Sequence, residues 1–353
     1  MTNEKILEDY NAVKNSVGLF DFSIEGKIKV KGAGRVDFIN GLVSNDIKNL
    51  KENNGAYAAF LNKLGKILSD CIVYKFDDCL LINLTIVGKN NIIKKLKEEA
   101  ALGKAEVEDA TLKYGLFSLQ GPKALELVSS IIGEPLDLKQ QYGCTIKNIT
   151  INKHIIISKN TINKNDQKNT EKNVRIIITK NYRTNFGGYD VFVPAEYYTI
   201  FKELILEKGK KYNLKIISND AYNLLRLEAK IPLFGIDFDE KNILPEIADK
   251  AASYDKGCYV GQEIVARVKS LAKGVTAKRL CFLEIDSNGV PEKNTKIRKD
   301  RNMKDGNDVG FITSAAFSPS LNKVLAFGFL NKGFYEENME IFVDDKKAIV
   351  NLK

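Results

Sequence analysis

Apolar residues at helical spacing mark several amphipathic segments along this chain. Residues 34–45 carry such a pattern, and so do residues 196–208, where Gly209 is a stop signal. Ser218 is a candidate N-cap residue for a further helix over residues 221–229. These three segments are predicted to be helices.

Other segments have the β-branched and aromatic composition that is typical of strands. Residues 56–60 and 66–76 are predicted to form two strands around a turn at residues 62–65. Strands and helices alternate without the regular spacing of a parallel βαβ array. The pattern therefore predicts an α+β fold rather than a doubly wound sheet.

After Gly274 the pattern changes to short β-like runs separated by glycine, asparagine and aspartate. Such runs predict a small all-β module at the C-terminal end of the chain. They occupy residues 280–285, 310–312, 324–329 and 339–343.

One segment has the opposite character and offers no apolar face. Residues 159–173 consist almost wholly of lysine, asparagine, threonine, aspartate and glutamine, with a single isoleucine. Such a composition cannot bury a core face. We expect a mobile surface insertion between two strands.

The composition is that of an ordinary globular protein of two or three domains. Of the 353 residues, 44% are hydrophobic and 28% are charged. No apolar run approaches the roughly 18 residues of a spanning helix, so no membrane association is expected. The first residues do not resemble a secretory signal, and a cytoplasmic location is expected.

The formal net charge of +9 would suit a polyanionic partner, either a nucleic acid or a ligand with a polyglutamate tail. The lysines are scattered rather than gathered into a stripe, so nucleic-acid binding is not favoured. An RNA-binding role is the weakest alternative, and strong, steeply salt-dependent binding to tRNA would be needed to support it.

Cysteine and histidine usage excludes several kinds of site. The single histidine, His154, lies in a strand-like run, so a zinc cluster or a Ser-His-Asp triad is not predicted, and no metal site is expected. The cysteines are odd in number and form no CxxC pair, which predicts reduced thiols. They stand at positions 71, 79, 144, 258 and 281.

Asp70 is an acid within an otherwise apolar predicted strand. Because strand side chains alternate, Asp70, Ile72 and Tyr74 should share one face, with Cys71 and Val73 on the other. A carboxylate is costly there unless it is paired or hydrogen-bonded, which suits a binding or catalytic acid. Taken alone, the residue is equally explained as a polar group at the wet end of a strand.

Asp190 and Arg226 are two further candidates for ligand binding. Two glycines precede Asp190, and they would allow a ligand to approach the backbone closely, although a plain hairpin turn explains them as well. Arg226 could grip a carboxylate through two parallel hydrogen bonds, or it could pair with Glu228 or Asp220.

Cys258 follows Lys256 and a glycine. A nearby lysine could lower the pKa of the thiol and raise its thiolate content, as redox or nucleophilic work requires. Most free cysteines are instead buried small hydrophobes. Residue chemistry alone leaves both interpretations open.

Taken together, these segments resemble the superfamily of the glycine-cleavage T-protein and the folate-binding YgfZ proteins over nearly the whole chain. Each motif is weak alone, and their order and spacing carry the resemblance. The matching segments are residues 16–23, 31–46, 61–74, 225–229, 245–246 and 310–319.

The resemblance implies a three-part fold around a central cavity that holds tetrahydrofolate. Two interleaved mixed α/β subdomains would occupy residues 1–273, and a C-terminal β-barrel would occupy residues 274–353. It also implies tyrosines over the pterin, an acid near N5, a second pterin-binding acid and an arginine near the folate tail. The tyrosines would be Tyr57 and Tyr74, and the acid near N5 would be Asp70. The second pterin-binding acid would be Asp190, and the arginine near the folate tail would be Arg226.

Two departures affect this assignment. T-proteins carry Tyr-Thr-Gly-Glu where this chain has Arg183-Thr184-Asn185-Phe186, and Asp190 stands where they have a longer glutamate. The octapeptide KGCYVGQE at residues 256–263 resembles YgfZ-like proteins and their mitochondrial iron–sulfur assembly relatives, whereas T-proteins lack its cysteine, Cys258.

The octapeptide therefore predicts a tetrahydrofolate-binding, YgfZ-like protein that supports iron–sulfur cluster assembly or repair in client enzymes. Cys258 would be needed for that role, and no stably bound cluster is expected. The alternative is an aminomethyltransferase in which Asp70, as the catalytic residue, positions N5 of the folate and raises its nucleophilicity, and a lipoyl carrier protein is the partner. The sequence leaves open whether the protein is an enzyme.

Overall fold

The computed structural model describes residues 3–101, 103, 105–152, 171–247, 251–271, 274–301 and 308–352. His154 and residues 159–170 of the predicted insertion lie outside the described residues, and residues 171–173 begin a strand. In the part of the chain that the structure describes, no helix is long and apolar enough to cross a membrane.

The helices and strands of the described residues are numbered in chain order. The helices are α1 (Asn3–Asn15), α2 (Arg35–Asn40), α3 (Ile86–Ala100), α4 (Ala124–Ile132), α5 (Tyr198–Gly209), α6 (Asn219–Glu228) and α7 (Gln262–Ser270), with short 3-10 turns at Thr111–Lys113, Ala195–Tyr197, Lys210–Tyr212 and Leu244–Glu246. The strands are β1 (Gly18–Asp21), β2 (Gly26–Lys31), β3 (Asn54–Leu61), β4 (Ile67–Lys75), β5 (Leu80–Leu84), β6 (Glu106–Asp109), β7 (Tyr114–Gln120), β8 (Cys144–Asn152), β9 (Glu171–Lys180), β10 (Gly188–Pro194), β11 (Lys215–Ile216), β12 (Lys278–Ile285), β13 (Lys296–Arg298), β14 (Asp308–Ser318), β15 (Lys323–Asn331), β16 (Glu340–Val343) and β17 (Lys346–Asn351).

The first sheet has five antiparallel strands in the order β3-β4-β5-β2-β6. One face is apolar and packs against α2 and α3, where Val73 and Ile82 of the sheet meet Phe38 and Leu96 of the helices. The period-two alternation of β4 thus buries every second side chain against helices and turns the others to the opposite face.

The second sheet has six strands in the order β11-β1-β7-β10-β9-β8, all antiparallel except the β1–β11 pair. Its outer face packs against α4 and α5, where Phe117 and Leu119 meet Leu127 and Phe201. Leu116, the neighbour of Phe117 on β7, belongs to a different cluster. Alternation therefore gives this sheet a second, inner face.

The inner faces of the two sheets meet in one apolar cluster. Tyr74 and Leu81 of the first sheet pack there with Leu116, Cys144 and Phe192 of the second. Helices therefore lie outside and the sheets face each other. Polar side chains on these inner faces are enclosed between the two subdomains.

The C-terminal strands form a closed barrel in the order β12-β15-β14-β13-β16-β17. Leu283, Ile312, Ala326 and Val350 fill its core. The predicted α+β fold with a C-terminal β-barrel is thus confirmed. The boundary between residues 1–273 and 274–353 stays a prediction, since residues 272 and 273 lie outside the described chain.

The helix predicted over residues 34–45 is shorter than expected, because only Arg35–Asn40 are helical. Beyond the helix the chain runs beside β3. Val43 forms an isolated antiparallel bridge with Phe60, and the Ser44 amide donates to the Ala59 carbonyl at 2.9 Å. Pairing with the sheet edge satisfies backbone groups that a longer helix would have satisfied internally. At α6 the predicted N-cap is confirmed, since Ser218 accepts a hydrogen bond from the Ala221 amide.

Candidate functional site

Asp70 lies on the inner face of the first sheet, as the alternation of β4 predicts. Ile72 and Tyr74 share this face and join the cluster between the sheets, whereas Cys71 and Val73 pack under the helices. Tyr57, opposite Ile72 on β3, donates a hydrogen bond from its hydroxyl to Asp70 Oδ2 at 2.9 Å. The pair therefore rests on the register of two adjacent strands.

The surroundings of Asp70 disfavour its charged form. Burial raises the pKa of its carboxyl to about 6; the Glu25 carboxylate adds to this rise, and the hydrogen bond from Tyr57 opposes it. Burial, and then the charge of Asp70, raise the pKa of the Tyr57 phenol well above its usual value. At neutral pH Asp70 is an ionised acceptor and Tyr57 is its donor.

Tyr74, the other predicted folate-site tyrosine, is fully buried between the sheets. Its hydroxyl lies 3.2 Å from Thr179 Oγ1 of β9, and its ring meets Phe192 edge-on at 6.1 Å between centroids. A Cβ added to Gly55 would lie 2.7 Å from this ring. Tyr74 thus fixes the packing of one sheet against the other beside Asp70.

Asp190 is also fully buried, on the inner face of the second sheet. Asn181 Nδ2 donates to its Oδ2 at 2.8 Å. Arg183 Nε and Nη2 donate to the same oxygen at 3.0 and 2.9 Å. The guanidinium also reaches Glu25, since Nη1 donates to Oε1 at 2.8 Å and Nη2, shared between the two carboxylates, donates to Oε2 at 2.9 Å. Asp190 is therefore part of a buried ionic network.

These groups surround one region between the sheets. Burial raises the pKa of the Tyr142 phenol above its usual value, and the charges of Arg183, Asp70 and Asp190 also act on that pKa. Tyr222 of α6 is close enough to Arg183 and Glu25 for their charges to act on its pKa, which burial raises. The candidate site comprises Glu25, Tyr57, Asp70, Tyr74, Tyr142, Arg183, Asp190 and Tyr222.

Sequence reasoning missed several members of this site. Glu25 lies just before β2 in a turn that carries no motif, and Tyr142 and Tyr222 have no local pattern that distinguishes them. Arg183 was visible only as a departure from the T-protein pattern. These four residues belong to the site because of contacts with residues far apart in the chain, and no periodicity in the sequence predicts such contacts.

Arg226 lies in a different environment, where α6 meets the barrel. Nη1 donates to Asp237 Oδ2 at 2.5 Å, Nη2 donates to Ser314 Oγ at 2.8 Å, and Asn223 Oδ1 accepts from both Nε and Nη2. With the Nη1 bond to the Ile231 carbonyl, all five N–H donors have partners. The partner is Asp237 rather than Glu228 or Asp220. A contact with a folate tail stays a prediction, and it would require one of these bonds to break.

Cys258 is exposed, unlike the four buried cysteines. It has no hydrogen bond to the described members of the candidate site. The neighbouring Lys256 turns its ammonium group onto three carbonyls, those of Asn40, Val43 and Asn45, at 2.6, 2.8 and 2.7 Å. Lys256 therefore anchors the loop after α2, and it is not shown to activate the thiol.

The rest of the octapeptide also has structural contacts. Gly261 has φ of +83°, and a Cβ added there would lie 2.6 Å from the Asn62 carbonyl oxygen. The Val260 amide donates to the Gly41 carbonyl at 3.2 Å. The segment thus packs the start of α7 against the β3–β4 turn and the loop after α2.

No group of three or more histidine, cysteine, aspartate or glutamate side chains is placed to hold a metal ion among the residues described. The described side chains of the candidate site are carboxylates, phenols and one guanidinium.

Comparison with known proteins identifies the family. Residues 2–160 match the GCVT N-terminal domain, and residues 278–352 match the glycine cleavage T-protein C-terminal barrel domain. An aminomethyltransferase of Caldanaerobacter subterraneus subsp. tengcongensis is 30% identical, over 98% of this chain and 87% of its own. One of Thermoanaerobacter sp. is 28% identical, over 98% of this chain and 88% of its own.

A solved structure supports the fold. The glycine cleavage system aminomethyltransferase T from Bartonella henselae matches with a TM-score of 0.79 at 21% identity, over 99% of this chain and 88% of that one. At this identity the likeness shows the fold alone.

These comparisons overturn one prediction. The YgfZ-like function in iron–sulfur cluster assembly or repair is wrong, because relatives at 28 to 30% identity over nearly the full length are aminomethyltransferases by name. The octapeptide with Cys258 led to the wrong prediction, since its Lys256 and Gly261 have packing roles that need no iron–sulfur function. Iron–sulfur client proteins are likewise not supported as partners. The chain belongs to the glycine-cleavage T-protein family.

Proposed function

We propose that this protein is a tetrahydrofolate-dependent aminomethyltransferase, which transfers a one-carbon unit from a lipoyl-bound aminomethyl group to tetrahydrofolate. The carbon's bonds to nitrogen and sulfur break in this transfer, so the amino group leaves as ammonia and the lipoyl sulfur as a thiol. Membership of the T-protein family supports the reaction class. The observation that carries the proposal is the Tyr57–Asp70 pair, a half-buried, ionisable carboxylate on the inner face of the first sheet that accepts a hydrogen bond from a phenol at 2.9 Å.

The residues between the sheets fit a folate, the cofactor of this family. A pterin is flat and carries N–H groups, so it needs aromatic surfaces and acceptor oxygens. Tyr57 and Tyr142 supply phenols, and Asp70 supplies a half-buried carboxylate. A contact with Asp190 is also proposed, although that carboxylate already accepts bonds from Asn181 and Arg183.

When bound, tetrahydrofolate supplies the amine nitrogen that accepts the one-carbon unit. Asp70 would orient that nitrogen, since its Oδ2 accepts the Tyr57 hydroxyl and Oδ1 remains as the acceptor for a ligand N–H. Above pH about 6 the carboxylate is ionised and can take a proton at that atom.

The partner that follows from this reaction is a lipoyl carrier protein. A cytoplasmic location remains a prediction. A catalytic role for Cys258 is also untested, and the contacts of Lys256 with backbone carbonyls give it no support.

Titration with tetrahydrofolate, paired with a transfer assay, tests the proposal. Saturable binding that weakens in Asp70→Asn is expected, together with turnover that requires both the aminomethylated lipoyl carrier and tetrahydrofolate. Arg226→Gln is the informative comparison, because weaker binding in a folded variant would support its proposed contact with the folate tail. Folded wild-type protein that binds no folate would refute the proposal.

A further inference from the structure

Arg183 joins the two sheets across the candidate site. Its guanidinium donates to both oxygens of Glu25, just before β2 of the first sheet, at 2.8 and 2.9 Å. It also donates to both oxygens of Asp190, on β10 of the second sheet, at 2.9 to 3.2 Å. Each carboxylate is gripped by two guanidinium nitrogens. A planar fork matches such geometry better than any other side chain.

The bridge is built into the interior. Side-chain exposure is 11% for Arg183, 17% for Glu25 and 0% for Asp190. The guanidinium carbon also lies 4.1 Å from the ring centre of Phe22, which closes one face of the group. Chance surface pairing does not give this arrangement, because surface ion pairs are exposed and loosely held.

The charge of Arg183 balances only part of the local negative charge. Glu25 and Asp190 carry two negative charges, and an ionised Asp70 adds a third, whereas Arg183 supplies one positive charge and Lys27, whose charge acts on Glu25, supplies a second. The charged and titratable groups that act on Asp70, or on Glu25, Arg183 and Asp190 near it, come from every element around the site. They are Tyr57, Cys71 and Tyr74 from the first sheet, Glu25 from the turn before β2 and Lys27 from its start, Tyr142 before β8, Arg183 from the turn before β10, Asp190 from β10, and Tyr222 from α6.

We propose that Arg183 is a positioning residue for the transfer reaction, which holds Glu25 and Asp190 at a fixed separation across the two sheets and offsets their charge beside Asp70. The inference rests on the proposed function, since Asp70 is the group that Arg183 serves. Arg183 acts through these two carboxylates and not on the substrate directly.

Two consequences separate this role from simple packing. Glu25 raises the pKa of Asp70, so loss of the compensating guanidinium should raise that pKa further, and loss of Glu25 should lower it. Arg183→Lys keeps the charge but loses the fork. It should therefore disturb the geometry while leaving the Asp70 titration nearly unchanged.

The experiment follows the carboxyl carbon of Asp70 by 13C NMR titration of the full chain, with the signal assigned through Asp70→Asn. Arg183→Gln is expected to raise the Asp70 pKa, because the charge of Glu25 is then no longer offset, and Glu25→Gln is expected to lower it. The double variant Arg183→Gln/Glu25→Gln, which has the same net charge as wild type at this site, should return toward the wild-type value. Thermal unfolding of each variant checks that it is folded.

The transfer assay supplies the second measurement. Arg183→Lys should lose about 100-fold in kcat/KM while its Asp70 titration stays near wild type. An Asp70 pKa that is unchanged in both Arg183→Gln and Glu25→Gln would overturn the inference. If Arg183→Gln does not fold, Glu25→Gln decides by the sign of its shift. A wild-type protein without transfer activity would refute the proposed function, and the titration would still decide whether Arg183 controls Asp70.

Discussion

Asp70 lies in an environment that favours its neutral form, so its ionised form should destabilise the folded protein. The carboxyl has a pKa of about 6 in the folded protein against a usual value of 3.8. The folded state binds more protons than the unfolded state between these values. Stability therefore falls as pH rises from about 4 to about 6, and the deficit persists above that range.

Replacement of Asp70 by asparagine removes this deficit. Asp70→Asn should be more stable than wild type at about pH 8, by up to about 3 kcal/mol, and similar to it at about pH 4. Urea unfolding of both proteins at the two pH values measures the difference. A variant less stable than wild type at the higher pH would show that the ionised carboxylate stabilises the fold.

Tyr57 should lower the pKa of the Asp70 carboxyl through one hydrogen bond. That bond favours the ionised carboxylate, so Tyr57→Phe should raise the Asp70 pKa above about 6. The acid limb of the pH profile of kcat/KM should move upward by about one unit, the worth of a hydrogen bond to a charged group. Tyr74→Phe is the matched control, because its hydroxyl bonds Thr179, and its acid limb should stay in place. Equal shifts in both variants would contradict this account.

How much of the site the sequence reveals depends on how local each signal is. Alternation within β4 is local, and it placed Asp70 on the correct face. The network of Arg183 joins residues 158 positions apart, and no spacing rule anticipates such a pair. Arg226 shows the same limit, since its partner Asp237 lies in a loop whose path depends on the docked barrel.

Among the elements, the segment before α7 packs tightly against the turn between β3 and β4. Gly261 meets the β3–β4 turn so closely that Gly65 Cα would lie 3.2 Å from an added Cβ. Gly257, four positions earlier, would have nothing within 4 Å of such an atom. The two glycines of one octapeptide therefore provide a matched pair.

Gly261→Ala should destabilise the protein by about 2 kcal/mol or more, because its φ is positive and the added methyl group would contact the Asn62 carbonyl. Gly257→Ala should change stability by about 0.5 kcal/mol or less. Denaturant unfolding of the two variants gives the comparison. Similar losses in both would mean that the segment does not depend on this close approach.

Element boundaries were harder to predict than element types. The helix predicted over residues 34–45 ends at Asn40, because the following residues pair with β3. The strands around the turn at residues 62–65 were predicted within about two residues of their ends. Periodicity identifies an element, but tertiary pairing decides where it stops.

At the scale of the whole molecule, a buried ion pair connects the barrel to the α/β region. Asp237 accepts hydrogen bonds from Arg226 of α6 and from Thr313 and Ser314 of β14, so three parts of the chain meet at one carboxylate. Both charged side chains are fully buried. Removal of one partner would leave the other charge without compensation.

Arg226→Met and Asp237→Leu should each destabilise the protein by about 3–5 kcal/mol. The double variant should lose much less than the sum, because it leaves no unpaired charge behind. Unfolding of the two single variants and the double variant completes the cycle. Additive losses would show that the two residues contribute independently.

A transfer assay shows whether this protein transfers a one-carbon unit with Asp70 in the site. The assay would follow the labelled aminomethyl carbon of a lipoyl carrier protein onto tetrahydrofolate in wild type, Asp70→Asn and Cys258→Ala. We expect wild-type turnover, a loss of about 100-fold or more in Asp70→Asn, and unchanged turnover in Cys258→Ala. Absence of transfer by folded wild-type protein would refute the proposed function, and full activity in Asp70→Asn would refute the role of that carboxylate.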